Sequence, residues 1–349
     1  MEYRLLATPH IRQEAQRRLR SYHEANRVRR AAVTSSCSPS SSSARGLSNL
    51  SHGACWKFYH GQQPASPGRE RVDDLLAYGG ESSSGGCVSQ RWSPEELEHR
   101  HDYIQWLFPL RERGVNWLAP LLTTAEADAM QSDGLVMARV LQAFRMMLRF
   151  YGTCIAYTTA AAASPSTTAK KTDTTPTSSA ASTPQNVCLD AQLCRTSNQE
   201  EWAAQYDNLV RRSHNYLRIS RIMQFLGEVG LEPLKLGWLE YLAHEVIMTG
   251  APLAACRDSF FFWMETPFEE EDRLRLQRLV EKLASDSAAS FVPVSKGPVV
   301  VVKGLFLPPT LDVARVLNED SRLVPPAIDA APLSAPNNIR QKTMKRKRE

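Results

Sequence analysis

Hydrophobic residues recur at helical spacing along most of this chain, most strongly over residues 135–151, which follow a potential capping residue, Asp133. The polar residues of that segment form one narrow stripe, which consists of Arg139, Gln142, Arg145 and Arg149. A helix that is apolar on nearly every side is typical of the centre of a helical bundle. Residues 213–229 are similarly apolar. We therefore predict an all-α fold, a single irregular bundle of about seven to nine helices with disordered insertion and tails.

Two sequence signals predict where helices of this bundle begin. Ser93 and Glu96 have the spacing of a capping box, with a proline at the first helical position. Thr123 and Glu126 repeat the same spacing. The helix that begins after Ser93 is predicted to continue past residue 104 and to end near a proline at position 109.

A low-complexity segment interrupts the predicted bundle at residues 156–186. Alanine, serine and threonine supply 22 of these 31 residues, and three prolines break any helix. Long surface insertions cost little loop-closure entropy, so one domain can carry such a segment. We predict one helical domain over residues 51–285 with a disordered insertion at 156–186.

Only two segments have the alternation or β-branched content of strands, and both follow the helical domain. They are residues 291–294 and 299–306, separated by Ser-Lys-Gly-Pro. A C-terminal extension over residues 286–324 is therefore predicted to hold a short hairpin and a helix.

The basic residues are concentrated at the two ends of the chain. Residues 1–50 hold nine arginines against three acids, residues 335–349 hold six basic groups against one acid, and the remainder holds 27 basic against 33 acidic groups. A mildly acidic body does not favour a specific nucleic-acid partner. Residues 1–50 are interpreted as a basic amphipathic helix followed by a Ser-rich disordered segment, and residues 325–349 as a disordered basic tail.

Each basic end of the chain resembles a signal that targets a protein to a compartment of the cell. The cluster Lys345, Arg346, Lys347 and Arg348 is typical of a nuclear import signal and predicts the import machinery as a partner. The Arg- and Ser-rich N-terminus resembles a mitochondrial transit peptide, although Glu14 and Glu24 interrupt its helix. No transmembrane span is predicted, and seven scattered cysteines without a signal peptide favour free thiols.

The sequence lacks the patterns that support an enzyme. No phosphate-binding loop, nucleophile elbow or zinc-ligand spacing occurs. His99 and His101 are two residues apart and point to different sides of a helix. A metal-dependent enzyme that uses His101 and His214 is the weakest alternative. We predict no catalytic residue, no metal and no cofactor.

Two segments are candidates for ligand binding. Tyr103, Gln105 and Trp106 lie in a dense aromatic stretch that is either a core helix whose polar tips find partners or an exposed recognition surface. The second segment carries a polar stripe at positions i, i+4 and i+7, made of His214, Arg218 and Arg221. Such a stripe either binds a carboxylate or phosphate, or pairs with an acidic residue of the same body.

These segments resemble a known family. The string His-Asp-Tyr-Ile-Gln-Trp-Leu-Phe-Pro-Leu at 101–110 is similar to the signature of the opioid growth factor receptor conserved domain. Three further blocks resemble that domain in the same order, at residues 58–78, 144–152 and 214–231. The resemblance covers about residues 56–265 without the insertion.

The resemblance implies an all-helical protein without catalytic residues or a cofactor. It also implies a receptor for an opioid pentapeptide that restrains proliferation, found in the nucleus and at the nuclear envelope, where association would be peripheral. We therefore expect a non-enzymatic binding protein for a peptide or protein ligand. The alternative is an intracellular scaffold that has no free peptide ligand.

Overall fold

A computed structural model describes residues 9–35, 53–76, 93–159, 186–248, 250–289 and 297–317. The Ser-rich segment, the greater part of the predicted insertion and the basic tail lie outside these residues. The N-terminal half of the chain contains the helices α1 (Pro9–Arg18), α2 (Arg20–Ser35), α3 (Ala54–Tyr59), α4 (Val72–Leu76), α5 (Pro94–His99), α6 (Ile104–Leu107), α7 (Thr124–Ser132) and α8 (Gly134–Phe150). After it come β1 (Thr153–Thr159), β2 (Val187–Arg195), α9 (Gln199–Arg211), α10 (His214–Glu228), α11 (Glu232–Ile247), α12 (Arg257–Trp263), α13 (Glu270–Ala289), β3 (Val300–Leu307) and α14 (Val313–Leu317).

The helical class is confirmed, and α8 is buried along nearly its whole length. Asp133 caps it, since its carboxylate accepts the backbone N–H groups of the first turn at 3.0 and 3.1 Å. Three residues of the polar stripe, Arg139, Gln142 and Arg145, are also buried, whereas Arg149 is partly exposed. Arg139 forms an ion pair with Asp73, and Arg145 donates to the Val316 carbonyl. These contacts anchor α4 and α14 to the central helix.

The helix count exceeds the predicted range because several predicted helices are divided into short pieces. Both capping boxes are present, at Ser93 and at Thr123. The helix that begins after Ser93, however, ends at His99, and α6 begins only at Ile104. The guanidinium of Arg218 binds carbonyl oxygens at the end of α5. Those carbonyls are thereby satisfied without a continuing helix.

A three-stranded antiparallel sheet, in the order β1-β2-β3, was not predicted. Residues 156–159, assigned to the disordered insertion, are the end of β1, and β2 begins directly after the insertion. Cys154 lies opposite Cys194 in the register of this pair. The insertion prediction is thus wrong at its N-terminal edge, and residues 160–185 lie outside the described chain. A hairpin forms here because Leu189, Ala191 and Leu193 are buried on one face of β2.

The strand expected at 299–306 corresponds to β3, but its partner differs from the expected one. β3 pairs with β2, with Val187 opposite Leu307 and Leu193 opposite Val300. The other half of the expected hairpin, residues 291–294, falls among residues that are not described. The helix expected in this extension corresponds to α14.

The basic N-terminal segment forms two helices that dock on the body. Ala15, Leu19 and Tyr22 are buried, and Asn26 donates a hydrogen bond to the buried carboxylate of Glu228. The turn between the two helices lies at Leu19, so one apolar stripe continues from α1 into α2. No helix in the described part of the chain is long and apolar enough to cross a membrane.

Candidate functional site

A cavity of about 830 Å³ lies where α1, residues 101–115, α10 and α12 meet, and we call it the site cavity. Four of the six predicted ligand-binding residues line it, namely Gln105, His214, Arg218 and Arg221. The fold therefore brings together the two candidate segments, around residue 105 and at residues 214–221, which are far apart in the sequence. This volume falls within the range of ordinary small-ligand sites.

The other two predicted residues, Tyr103 and Trp106, are buried and do not line the cavity. The Tyr103 hydroxyl donates to the Leu97 carbonyl at 3.1 Å, and the Trp106 indole donates to the Ser66 carbonyl at 2.9 Å. Of the two alternatives left open for this stretch, the structure therefore shows the core helix, and not an exposed recognition surface, for these two side chains. They have the packing of core aromatics whose polar tips find partners.

Arg218 is 4% exposed, and its donors are occupied. It donates to the carbonyls of Leu97 and Arg100 at 2.9 and 2.7 Å, and to Nδ1 of His101 at 3.1 Å. Its partners are thus mainly backbone carbonyls and not the carboxylate that the sequence suggested. Arg218 fixes α10 against the end of α5, so its main role in the cavity is structural.

His101 and His214 lie side by side in the cavity wall, with ring centroids 5.0 Å apart. Burial, followed by the charge of Arg218, lowers the pKa of His101. A guanidinium can only donate, so Nδ1 of His101 accepts and the neutral ring carries its proton on Nε2. His214 Nε2 lies 2.7 Å from the Glu98 carboxylate. Among the described residues, no group of three or more His, Cys, Asp or Glu side chains is arranged to hold a metal ion.

Glu98 connects this wall to α9 and α10. Burial raises the pKa of its carboxyl, but the amides of Asn208 and Asn215, at 2.8 and 3.0 Å, together with the charges of His214 and Arg218, lower it overall. The carboxylate is therefore ionised at neutral pH and holds the polar side of the cavity in place.

Arg221 differs from Arg218 in having few partners. Its one hydrogen bond goes to the Phe108 carbonyl at 3.1 Å, and no carboxylate of the described residues forms an ion pair with it. Burial lowers the pKa of Arg221 to about 10, and the charge of Glu112 opposes that shift. The side chain remains a cation at neutral pH, with donors available at the cavity.

The opposite side of the cavity is apolar and partly open to solvent. Leu217 on α10 and Val115, in the loop between α6 and α7, line this side, and they are 69% and 94% exposed. Ile11 of α1 and Phe262 of α12 complete this side. A ligand with both an apolar group and an anionic group fits such a surface.

Sequence reasoning missed the contribution of α1. Its Arg-rich composition directed attention to targeting, whereas the stripe of Ile11, Ala15 and Leu19 was the signal for docking. Arg12 forms an ion pair with Glu265 at 3.0 Å, and Gln16 donates to the same carboxylate at 3.1 Å. These contacts hold α1 as one wall of the site cavity.

The model of one protein family, described as the opioid growth factor receptor (OGFr) conserved region, matches residues 54–166 and 188–296. The gap between the two matched parts falls in the low-complexity insertion. Residues 101–115 and α10, which supply most of the polar side of the cavity, lie inside the match. α1 lies outside it.

Curated proteins show the same relation. The chain is similar to opioid growth factor receptor-like protein 1 of Mus musculus, with 29% identity over 238 residues, 68% of this chain and 40% of that protein. It is also similar to the opioid growth factor receptors of Mus musculus, 32% identical over 163 residues (46% of this chain, 20% of the receptor), and of Homo sapiens, 31% identical over 169 residues (47% and 20%). The chain thus spans two fifths or less of the length of these relatives. No solved structure matches it.

Proposed function

This chain belongs to the opioid growth factor receptor conserved-region family, and on that premise we propose that it is a non-enzymatic protein that binds a peptide or protein ligand in the site cavity. The family is named for a receptor, and not for an enzyme. The observation that carries the proposal is the cavity itself, which combines available cationic donors with an exposed apolar rim. Small-ligand and peptide sites typically combine a few placed polar groups with apolar walls.

Calorimetric titration with an opioid pentapeptide tests this proposal. The probe is chosen because curated relatives are named opioid growth factor receptors. We expect saturable binding to the full chain and at least tenfold weaker binding to Leu217→Glu, which places a charge on the apolar rim. Leu274→Glu on α13 is the matched control, because Leu274 is also exposed but does not line the cavity. Absence of binding, or equal loss in both variants, contradicts the proposal.

A scaffold function is the second candidate, and one surface favours it. The loop beside the cavity exposes a series of large apolar residues: Val115, Trp117, Leu118 and Leu121. Exposed apolar patches commonly mark protein contacts. Under this alternative, Trp117→Ser lowers recovery of crosslinked partners from cells, while the free pentapeptide gives no heat with the unmodified chain.

We also propose nuclear localisation, including the nuclear periphery, with a role in growth regulation. The support is the Lys345–Arg348 cluster in the sequence together with membership of the family. A fluorescent fusion with all four residues changed to alanine is expected to spread into the cytoplasm. Persistent nuclear signal in that variant, or mitochondrial signal that disappears on removal of residues 1–33, contradicts the assignment.

A further inference from the structure

Two polar side chains at the floor of the site cavity have unused hydrogen-bonding capacity. Gln105 is 6% exposed, and its amide has no hydrogen-bond partner among the described residues. Arg221 donates only to the Phe108 carbonyl, which leaves most of its five N–H donors available. A buried amide and a half-buried guanidinium group on one cavity wall therefore have polar atoms available to a ligand.

Gly114 brings these two groups to one point. A Cβ placed on Gly114 would overlap Oε1 of Gln105 and would lie 2.6 Å from Nη2 of Arg221. The absence of a side chain there therefore makes room for both groups beside the backbone. Gly114, Gln105 and Arg221 all line the cavity, so the two side chains meet at its wall.

We propose that Gln105 and Arg221, which meet beside Gly114, form a carboxylate subsite that holds the C-terminal carboxylate of a bound peptide. A carboxylate has two acceptor oxygens. Arg221 Nη2 donates to one of them, and the Gln105 amide donates its N–H to the other after turning about its last side-chain bond, because in this structure its Oε1 lies beside Gly114. This inference rests on the proposed function and narrows it, because it assigns ligand recognition to Arg221 and not to Arg218.

The charges around the subsite favour this occupant. The acidic residues that line the cavity, Glu14, Glu112 and Asp258, form no ion pair with Arg221, and Glu14 is paired with Arg17 and Arg18. Buried cation–carboxylate contacts are stronger than those between neutral groups. The apolar residues Ile104 and Leu110 also line the cavity, and they suit the last side chain of a peptide better than a free phosphate.

The experiment compares an acid with its amide. Binding of N-acetyl-phenylalanine and of N-acetyl-phenylalanine amide is measured by chemical-shift titration of the full chain, and the pentapeptide is compared with its C-terminal amide by calorimetry. We expect each acid to bind at least tenfold more tightly than its amide. Equal affinities of acid and amide overturn the subsite.

Variants assign the preference to these residues. Arg221→Met is expected to abolish the preference for the acid, and Arg221→Lys to retain part of it, because lysine keeps the charge but loses the planar fork. Gly114→Ala places a methyl group where Gln105 and Arg221 meet and displaces both side chains without removing charge, so it is expected to abolish the preference as well. Arg113→Met removes a cation from the same loop and is expected to change the acid-to-amide ratio by less than threefold. A preference that survives both Arg221→Met and Gly114→Ala, or is lost equally in Arg113→Met, overturns the proposal.

The two probes separate this inference from the proposed function. Pentapeptide acid and amide that bind equally well support a peptide-binding protein and overturn the carboxylate subsite. Binding of N-acetyl-phenylalanine without any binding of the pentapeptide supports the subsite and contradicts the opioid ligand. Binding of inorganic phosphate alone overturns the assignment to a carboxylate.

Discussion

The ion pair between Arg195 and Glu245 joins β2 to α11 and gives the sharpest test of the fold. The guanidinium contacts the carboxylate through two hydrogen bonds of 2.7 and 2.6 Å, and the two side chains are 6% and 1% exposed. The Arg195 guanidinium carbon also lies 4.2 Å from the ring centroid of Trp202. Replacing Arg195 with methionine keeps much of the volume and leaves the Glu245 carboxylate with the Tyr206 hydroxyl, at 3.1 Å, as its remaining side-chain donor.

Breaking a buried pair from one side costs about 3–5 kcal/mol, because the remaining charge has lost its compensation. For a domain of this size that corresponds to a fall in Tm of roughly 6–20 °C. The free energy of unfolding is measured by urea denaturation, followed by circular dichroism and tryptophan fluorescence. Arg211→Met is the control, because the Arg211–Asp207 pair is 74% and 56% exposed and such pairs contribute about 0–1 kcal/mol.

The double variant Arg195→Met/Glu245→Leu separates the ion pair from packing. Removing both charges is expected to cost less than Arg195→Met alone, since no buried charge is then left without a partner. A loss in Arg195→Met no larger than in Arg211→Met would refute the argument that water is excluded from this pair. A double variant that is less stable than the single one would refute the argument that the stranded carboxylate carries the cost.

Three further outcomes are expected. Burial lowers the pKa of His23 and of His244 below the ordinary value of 6.5. As the pH falls, both side chains are therefore protonated in the unfolded chain before they are protonated in the folded chain, and the free energy of unfolding should fall between pH 7 and pH 5. A rise over this range in urea titrations would contradict the burial of both rings. Burial raises the pKa of Cys194 to about 11, so at pH 7.5 peptide mapping should show slower alkylation of Cys194 than of the half-buried Cys188, and equal rates would count against the packing of β2. Deleting residues 160–185 and joining β1 to β2 by a short turn should leave the helical content and the cooperative transition nearly unchanged, whereas loss of cooperativity in thermal scans would make that segment structural.

The parts of the fold that the sequence predicts are those set by local spacing. The capping boxes at Ser93 and Thr123 and the apolar surface of α8 depend on residues that are close together in the sequence, and the structure confirms them. The sheet was missed because β1 and β2 are separated by a long low-complexity segment, although the alternation of Leu189 and Leu193 with polar residues was visible in β2. Pairing across such a distance depends on tertiary contacts that local patterns do not contain.

The candidate site shows a similar division. The stripe of His214, Arg218 and Arg221 was identified from helical spacing, and all three side chains line one cavity. The sequence did not show which arginine is available, because the partners of Arg218 are backbone carbonyls, which every residue carries. The role of Gly114 could not be predicted either, because a loop can require glycine for many reasons. The positions of the Gln105 and Arg221 side chains show why a side chain at residue 114 would clash.

One wall of the site cavity comes from α1, while the match to the family model begins at residue 54. The shape of the cavity is therefore set in part by sequence on which membership of the family places no constraint. Two members with the same core and different N-terminal helices would have cavities of different shape. Exchanging the N-terminal helices of this chain has a further requirement, because α2 forms hydrogen bonds with two buried charged residues of the body. Asn26 contacts Glu228, and Tyr22 contacts Lys235. Arg111 and Glu232 pair with these two charges, but a replacement helix must still supply the two hydrogen bonds as well as shape the opening, which links the shape of the cavity to the stability of the core.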